Sequence, residues 1–251
     1  MQGEKVQEIF GKRAEGYVKS ASHTDQEVLD RIGQLCGDLH GRIALDVATG
    51  TGHVAMRRSP LADVVIGLDI TRRMLELARD ESSKRSLSNV RWLRGDVRSL
   101  PFPDGTFQAV TCRRAPHHFL DIGLALREMV RVLKDDGVLV IDDRSVPDDA
   151  DIDTAMNHLD LLHDRSHVRE YGRKEWEMLL LKAGLIDIEV HEYRRHLPLS
   201  TMTWNAEPAD AQEIERVVSS LPSDLQRRMA VEEMGGKLFI DQYYITIRAT
   251  K

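Results

Sequence analysis

Gly50 and Gly52, one residue apart and directly after the apolar run Ile43-Ala44-Leu45-Asp46-Val47, form a backbone device. Without Cβ atoms the chain turns sharply there and lets a ligand approach its main chain, while the N–H groups opening the next helix remain available to donate. An anionic or zwitterionic group belongs at such a turn. By itself the spacing Gly50-x-Gly52-x-x-Ala55 also satisfies a dinucleotide fingerprint, with Asp69 at a suitable distance for a ribose diol. Acids at successive strand ends discriminate between the two. Asp46 precedes the turn, Asp69 closes the second strand and can accept from both ribose hydroxyls, and Asp96 follows the third and can accept from an exocyclic amine such as that of adenine. Together they favour an adenosine-bearing sulfonium cofactor over a nicotinamide one, in the crevice where open α/β sheets bind ligands. His117 and His118, just after the fourth predicted strand, add imidazoles able to accept a proton near neutrality.

The elements that must position these residues alternate. Strands are predicted at 43–47, 62–69, 90–96, 107–113 and 138–142, with helices at 53–58, 72–84 (Thr71 as N-cap) and 124–133 between them. The fold class is therefore α/β, a mostly parallel sheet with helices on both faces. After Pro147 the pattern changes: 148–165 reads as an inserted lid helix, polar on one side, followed by a helix at 174–183 and a sixth strand at 186–193. One or two helices joined near Pro222 occupy 207–229, and a long strand closes the chain at 238–248.

The formal charge of −6 with basic residues scattered among acidic ones argues against a phosphate-backbone partner, so no nucleic acid is expected. Arg72-Arg73 and Arg113-Arg114 accordingly read as solvated or structural pairs. The apolar runs Val138–Ile141 and Leu179–Leu181 fall short of a bilayer span and residues 1–10 are too charged for a secretory core, so a cytoplasmic location without a membrane span is expected. Cys36 and Cys112 give neither a disulfide framework nor a metal-knuckle spacing and are expected as reduced thiols in or near the core. His158, His163 and His167 lack partners in a recognised ligand spacing and are expected to face solvent, leaving no metal site.

The sequence resembles the class I S-adenosylmethionine-dependent methyltransferases, and within them the branch containing the ubiquinone and menaquinone biosynthesis methyltransferases. The resemblance rests on Leu45-Asp46-Val47-Ala48-Thr49-Gly50-Thr51-Gly52, on Gly67-Leu68-Asp69-Ile70-Thr71-x-x-Met74-Leu75, on Gly95-Asp96-Val97-x-x-Leu100-Pro101-Phe102, on Phe107, on Arg113-Arg114-Ala115-Pro116-His117-His118-Phe119 and on Arg131-Val132-Leu133-Lys134-x-x-Gly137. It extends more loosely to Phe10-Gly11-x-x-Ala14-x-x-Tyr17. Ala48 stands where the family motif most often has glycine.

The resemblance implies a Rossmann-like seven-stranded sheet whose last strand is antiparallel, forming one methyltransferase domain over 1–251. Its core is 40–145, a cofactor-covering segment is 1–39, and lid and substrate elements are 146–170 and 198–236. It implies that Asp46 through Gly52, including Ala48, Thr49 and Gly50, cradle the methionine end of S-adenosylmethionine. Asp69 would hold the ribose, Asp96 and the Val97 backbone the adenine, and Ile70 and Met74 would pack near the base. Tyr17, His23 and Arg113 would stand at the methionine end or acceptor side, and His117 and His118 beside the methyl site. The expected activity is methyl transfer to a carbon, oxygen or nitrogen of a small molecule, with quinone-like and aromatic acceptors in range and the oligomeric state open. A nicotinamide-dependent oxidoreductase and a non-catalytic S-adenosylmethionine-binding protein are the other readings.

Overall fold

A computed structural model describes residues 2–19, 23–204 and 206–251. In chain order the elements are α1 (Gln2–Lys19), α2 (Gln26–Leu35), β1 (Leu39–Val47), α3 (His53–Arg58), β2 (Ala62–Asp69), α4 (Arg72–Lys84), β3 (Val90–Arg94), β4 (Phe107–Arg113), α5 (Ile122–Val132) and β5 (Leu133–Ser145). There follow α6 (Ala150–His163), α7 (Arg173–Lys182), β6 (Ile186–Pro198), α8 (Ser200–Thr203), α9 (Pro208–Ser220), α10 (Ser223–Arg228), β7 (Glu232–Met234) and β8 (Lys237–Thr250). Seven strands form a continuous path in the order β3-β2-β1-β4-β5-β8-β6, and short β7 pairs onto β8 as an eighth. The first five are parallel, whereas β8 runs antiparallel to both β5 and β6. This is the Rossmann-like α/β sheet that the alternating pattern implies, with the β7 hairpin added. Strand order reverses direction between β1 and β4, and at that switch point the carboxyl ends of the strands open a crevice.

Two apolar layers clamp the sheet. On one side Leu126, Met129, Trp176 and Leu180 of α5 and α7 pack on Val110, Leu139 and Ile247. On the other Val28, Leu29 and Ile32 of α2 join Val54 and Ala55 of α3 against Ala44, Val65 and Val140. A third cluster unites α6, α8, α9 and α10 through Met156, Leu159, Met202, Ile214, Val218 and Leu225, forming a cap beside the sheet. Cys36 and Cys112 are free and buried.

Both ends of the helix expected at 124–133 differ from expectation. Helix α5 starts at Ile122, because Asp121 caps it by accepting the Leu124 N–H at 2.8 Å, and it ends at Val132. Leu133, assigned to the helix from its apolar period, instead opens β5 and pairs with Phe107. Burial of Leu133 in the sheet core satisfies its side chain equally well, so periodicity could not separate the two. Among the described residues no helix is long and apolar enough to cross a membrane.

Candidate active site

The glycine turn is held by side chains as well as by its own backbone. Asp46 is 2% exposed, and its oxygens accept the hydroxyls of Thr49 and, at 2.7 Å, Thr111. Burial raises its pKa while these hydroxyls oppose the shift. Asp46 therefore acts from beneath the turn, by fixing Thr49, and reaches only a small cleft shared with Ala48, Thr49, Tyr17, His23 and Arg113. Ala48, Gly50 and Gly52 all have positive φ (51°, 54° and 84°), so Ala48 carries a left-handed strain that the more usual glycine would avoid.

Asp69 ends β2 in the crevice. Its Oδ2 accepts the Gly50 N–H and its Oδ1 the Thr71 N–H, both at 2.8 Å, and burial raises its pKa. A carboxylate offers about four lone pairs, so each oxygen keeps capacity for a ribose hydroxyl. Ala48, Asp69, Ile70, Met74, Asp96 and Val97 line one crevice of about 150 Å³ together with Phe10, Leu68, Phe119 and Leu120. Asp96 is engaged more than the sequence suggested: Arg98 donates to both of its oxygens from its guanidinium and to Oδ1 from its backbone, which lowers the Asp96 pKa. Asp96 nevertheless lines the crevice beside Val97.

A second cavity, about 480 Å³, lies alongside and is walled by Tyr17, His117, His118, His163, His167 and Trp204 among others. Phe10, Arg114 and His118 belong to both walls. His117 borders only the larger cavity: its ring Nδ1 donates to Asp143 at 2.6 Å and its backbone N–H to the same carboxylate. His118 Nδ1 lies 3.1 Å from Ser166 Oγ, whose single proton is committed to Asp164 at 2.6 Å, so Nδ1 must carry the hydrogen and Nε2 the lone pair. Arg13 of α1 pairs with Asp164 at 3.1 Å and links the covering helix to this chain of contacts. Helix α1 is fastened further by Glu15 to Arg73 and by the Tyr17 carbonyl to His53. Arg113 donates to the His23 carbonyl at 2.8 Å, and both Arg113 and Arg114 approach buried Asp142. Arg113 also borders the small cleft with Tyr17 and His23, whereas Arg114 lines all three openings, a placement with no sequence signal.

The histidines of the lid require a correction. His158 is exposed, but His163 is partly buried and donates from Nδ1 to the Met202 carbonyl at 2.6 Å, and His167 is buried with Nε2 3.0 Å from Asn157. The fold turns α6 and the segment after it inward over the sheet, which a helical wheel of α6 alone does not reveal. Among the described residues no cluster of three or more His, Cys, Asp or Glu could hold a metal.

Burial pushes His117 and His118 down to about 3 and His167 to about 4, from 6.5, whereas it pushes Asp143 up to about 6. Below pH 6.5 the unfolded chain takes up protons that these folded imidazoles refuse, so stability present above that pH is lost as pH falls toward 3. Asp143 opposes this trend with one group against three. Urea unfolding should lose at least about 2 kcal/mol between pH 7 and pH 5; an unchanged midpoint across that interval would contradict the buried neutral imidazoles.

The chain matches a methyltransferase domain family over residues 45–141. It is 36% identical over 204 residues to YcgJ of Bacillus subtilis, an uncharacterized methyltransferase, covering 80% of each chain. The YcgJ crystal structure superposes with a TM-score of 0.85 at 28% identity, over 90% of this chain and 98% of that one. The chain is also 37% identical over 155 residues to the demethylmenaquinone methyltransferase of Deinococcus radiodurans, spanning 55% of this chain and 60% of that protein. The crevice at the switch point and these likenesses agree: the chain belongs to the S-adenosylmethionine-dependent methyltransferase family. Membership selects this reading over the nicotinamide-dependent oxidoreductase.

Proposed function

We propose that the protein binds S-adenosylmethionine in the 150 Å³ crevice and moves its methyl group to a small molecule held in the 480 Å³ cavity. The observation that carries this reading is the shared wall of Phe10, Arg114 and His118, across which the two ligands would meet. The crevice suits the group: apolar Leu68, Ile70, Met74 and Val97 offer surface for a base, Asp69 has lone pairs for a ribose, and the positive-φ turn brings backbone close without side-chain obstruction at Gly50. When bound, S-adenosylmethionine supplies an electrophilic methyl on a sulfonium and is left as the neutral thioether.

In this reading residues 1–39 cover the cofactor, 40–145 hold it, and 146–170 with 198–236 shape the acceptor side; residues 1, 20–22 and 205 of those ranges lie outside the described set. His118 Nε2 takes the proton that an O–H, N–H or acidic C–H acceptor sheds as the new bond to carbon forms. Tyr17 and Phe10 on α1 exclude water, and Asp69 orients the ribose so that the acceptor stands behind the methyl group.

Calorimetric titration with S-adenosylmethionine and S-adenosylhomocysteine tests it. Saturable binding is expected, weakened at least about tenfold by Asp69→Ala or Asp69→Asn, the cost of losing a charged acceptor. Asp96→Ala should weaken it less, because Arg98 already occupies both oxygens of that carboxylate. Absence of binding in the folded wild type overturns the reading.

A further inference from the structure

The large cavity has an unusual hydrogen-bonding bias. Four of the histidines that line it each spend one ring nitrogen on a protein acceptor. His117 Nδ1 faces the Asp143 carboxylate, His118 Nδ1 faces a serine whose own proton is committed, and His163 Nδ1 faces a carbonyl. His167 Nε2 faces Asn157 Oδ1, an oxygen that also accepts the Glu170 N–H at 2.7 Å. Each contact demands N–H on that nitrogen, so the opposite nitrogen of all four rings carries a lone pair. His167 Nδ1 is buried and has no partner, and the hydrogen bonds of the other three rings to described residues run through Nδ1. The rings of His118, His117 and His167 follow one another with centroids 4.0 and 6.0 Å apart, so these lone pairs line a wall. They do not converge on one point, since no group among the described residues could hold a metal. On the donor side two lining arginines have a buried N–H group without a hydrogen-bond partner, Arg144 Nη2 and Arg114 Nε, and the latter already stands 3.2 Å from the Asp142 carboxylate. Trp204, Tyr17 and Tyr244 supply flat apolar surface.

We infer that the methyl acceptor is a small ring bearing two or more O–H or N–H donors, recognised by the His117, His118, His163 and His167 lone pairs, with one oxygen accepting from Arg144. A hydroxyl serves both sides, because it donates to an imidazole and accepts from a guanidinium. A ring carrying only carbonyl or ether oxygens leaves the imidazole acceptors buried without partners, which is costly. This inference rests on the methyltransferase reading and narrows its substrate class.

The matched probes are catechol and 1,2-dimethoxybenzene, which share a ring and differ in their donors. Each is titrated into protein saturated with S-adenosylhomocysteine, whose own binding is measured first in the same sample. Catechol is expected to bind at least about tenfold more tightly than its dimethyl ether, the worth of two neutral hydrogen bonds. His163→Phe should reduce that ratio about threefold or more without changing S-adenosylhomocysteine affinity. Long-range nitrogen NMR of the wild type should find His117, His118 and His163 as Nδ1–H tautomers and His167 as Nε2–H, with the lone-pair nitrogens shifting on addition of catechol. Equal or tighter binding of the dimethyl ether, no catechol binding up to millimolar concentration, or the opposite tautomers would overturn the donor-rich acceptor. Failure of S-adenosylhomocysteine to bind would instead overturn the methyltransferase reading of the crevice.

Discussion

Gly52→Ala is expected to destabilise the protein by about 2–4 kcal/mol, combining a left-handed φ that is costly for L-residues with overpacking against a fixed ring. Gly52 has φ +84°, and a Cβ there would lie 2.8 Å from Trp92 Cζ3 and press further onto Cη2. The indole cannot withdraw easily: its Nε1 donates to Ser82 Oγ at 3.1 Å and its face also covers Gly67, where a Cβ would meet the same ring. The change falls at the N-cap of α3, so the first N–H groups of that helix would be displaced from the turn as well. Gly50→Ala is the control, since Gly50 has φ +54° but nothing within 4 Å of a built Cβ. It should cost only about 1 kcal/mol, the backbone term alone, a strain that Ala48 at φ 51° already bears in the native chain. Urea unfolding of both variants decides the matter, and equal losses would show that the Trp92 contact is relieved by movement. Against a total stability of about 5–15 kcal/mol the larger loss is severe.

His118→Ala is expected to lower the turnover of methyl transfer by about 10²-fold, the low end of what a positioned proton acceptor is worth, because a ring held down to about 3 is a weak base. S-adenosylmethionine affinity should stay within about threefold, because His118 makes none of the hydrogen bonds that hold Asp69 or the glycine turn. Ser166→Ala should give a smaller fall of the same kind, as it frees His118 Nδ1 and allows the ring to exchange tautomers. With His118 held down to about 3 the ring is already neutral at pH 5, so the wild-type rate should show no acidic limb from this residue above that pH. Transfer of labelled methyl groups into the acceptor, followed against pH, provides the measurement. An unchanged turnover in His118→Ala would assign the ring to shaping the pocket, and a limb between pH 6 and 7 that disappears in the variant would refute the buried neutral state.

Much of the crevice at the switch point was legible because its parts are local. A glycine turn after an apolar run, and acids at the ends of Leu68-Asp69 and Gly95-Asp96, depend on backbone geometry within a few residues, and all of them reach one rim because parallel strands end together. The larger cavity was not legible in the same way. Nothing in the sequence spacing couples Arg13 to Asp164, or His118 to Ser166, since these pairs are separated by 151 and 48 residues and meet only when α1 and the α6 region fold over the sheet. The same physics explains the misjudged histidines: His163 and His167 have no local reason to be inside, and burial comes from the cap formed by α6, α8, α9 and α10.

What the sequence by itself determined was the alternation of strand and helix, the sharp turn at Ala48–Gly52 and the chemistry available at each strand end. These follow from hydrophobic periodicity and from φ values open only to particular residues. Tertiary structure alone decided that Thr111 closes on Asp46 from the neighbouring strand, and which ring nitrogen of each histidine keeps its lone pair. Those outcomes rest on hydrogen-bond partners brought from distant parts of the chain, and a linear sequence carries no record of them until the chain has closed on itself.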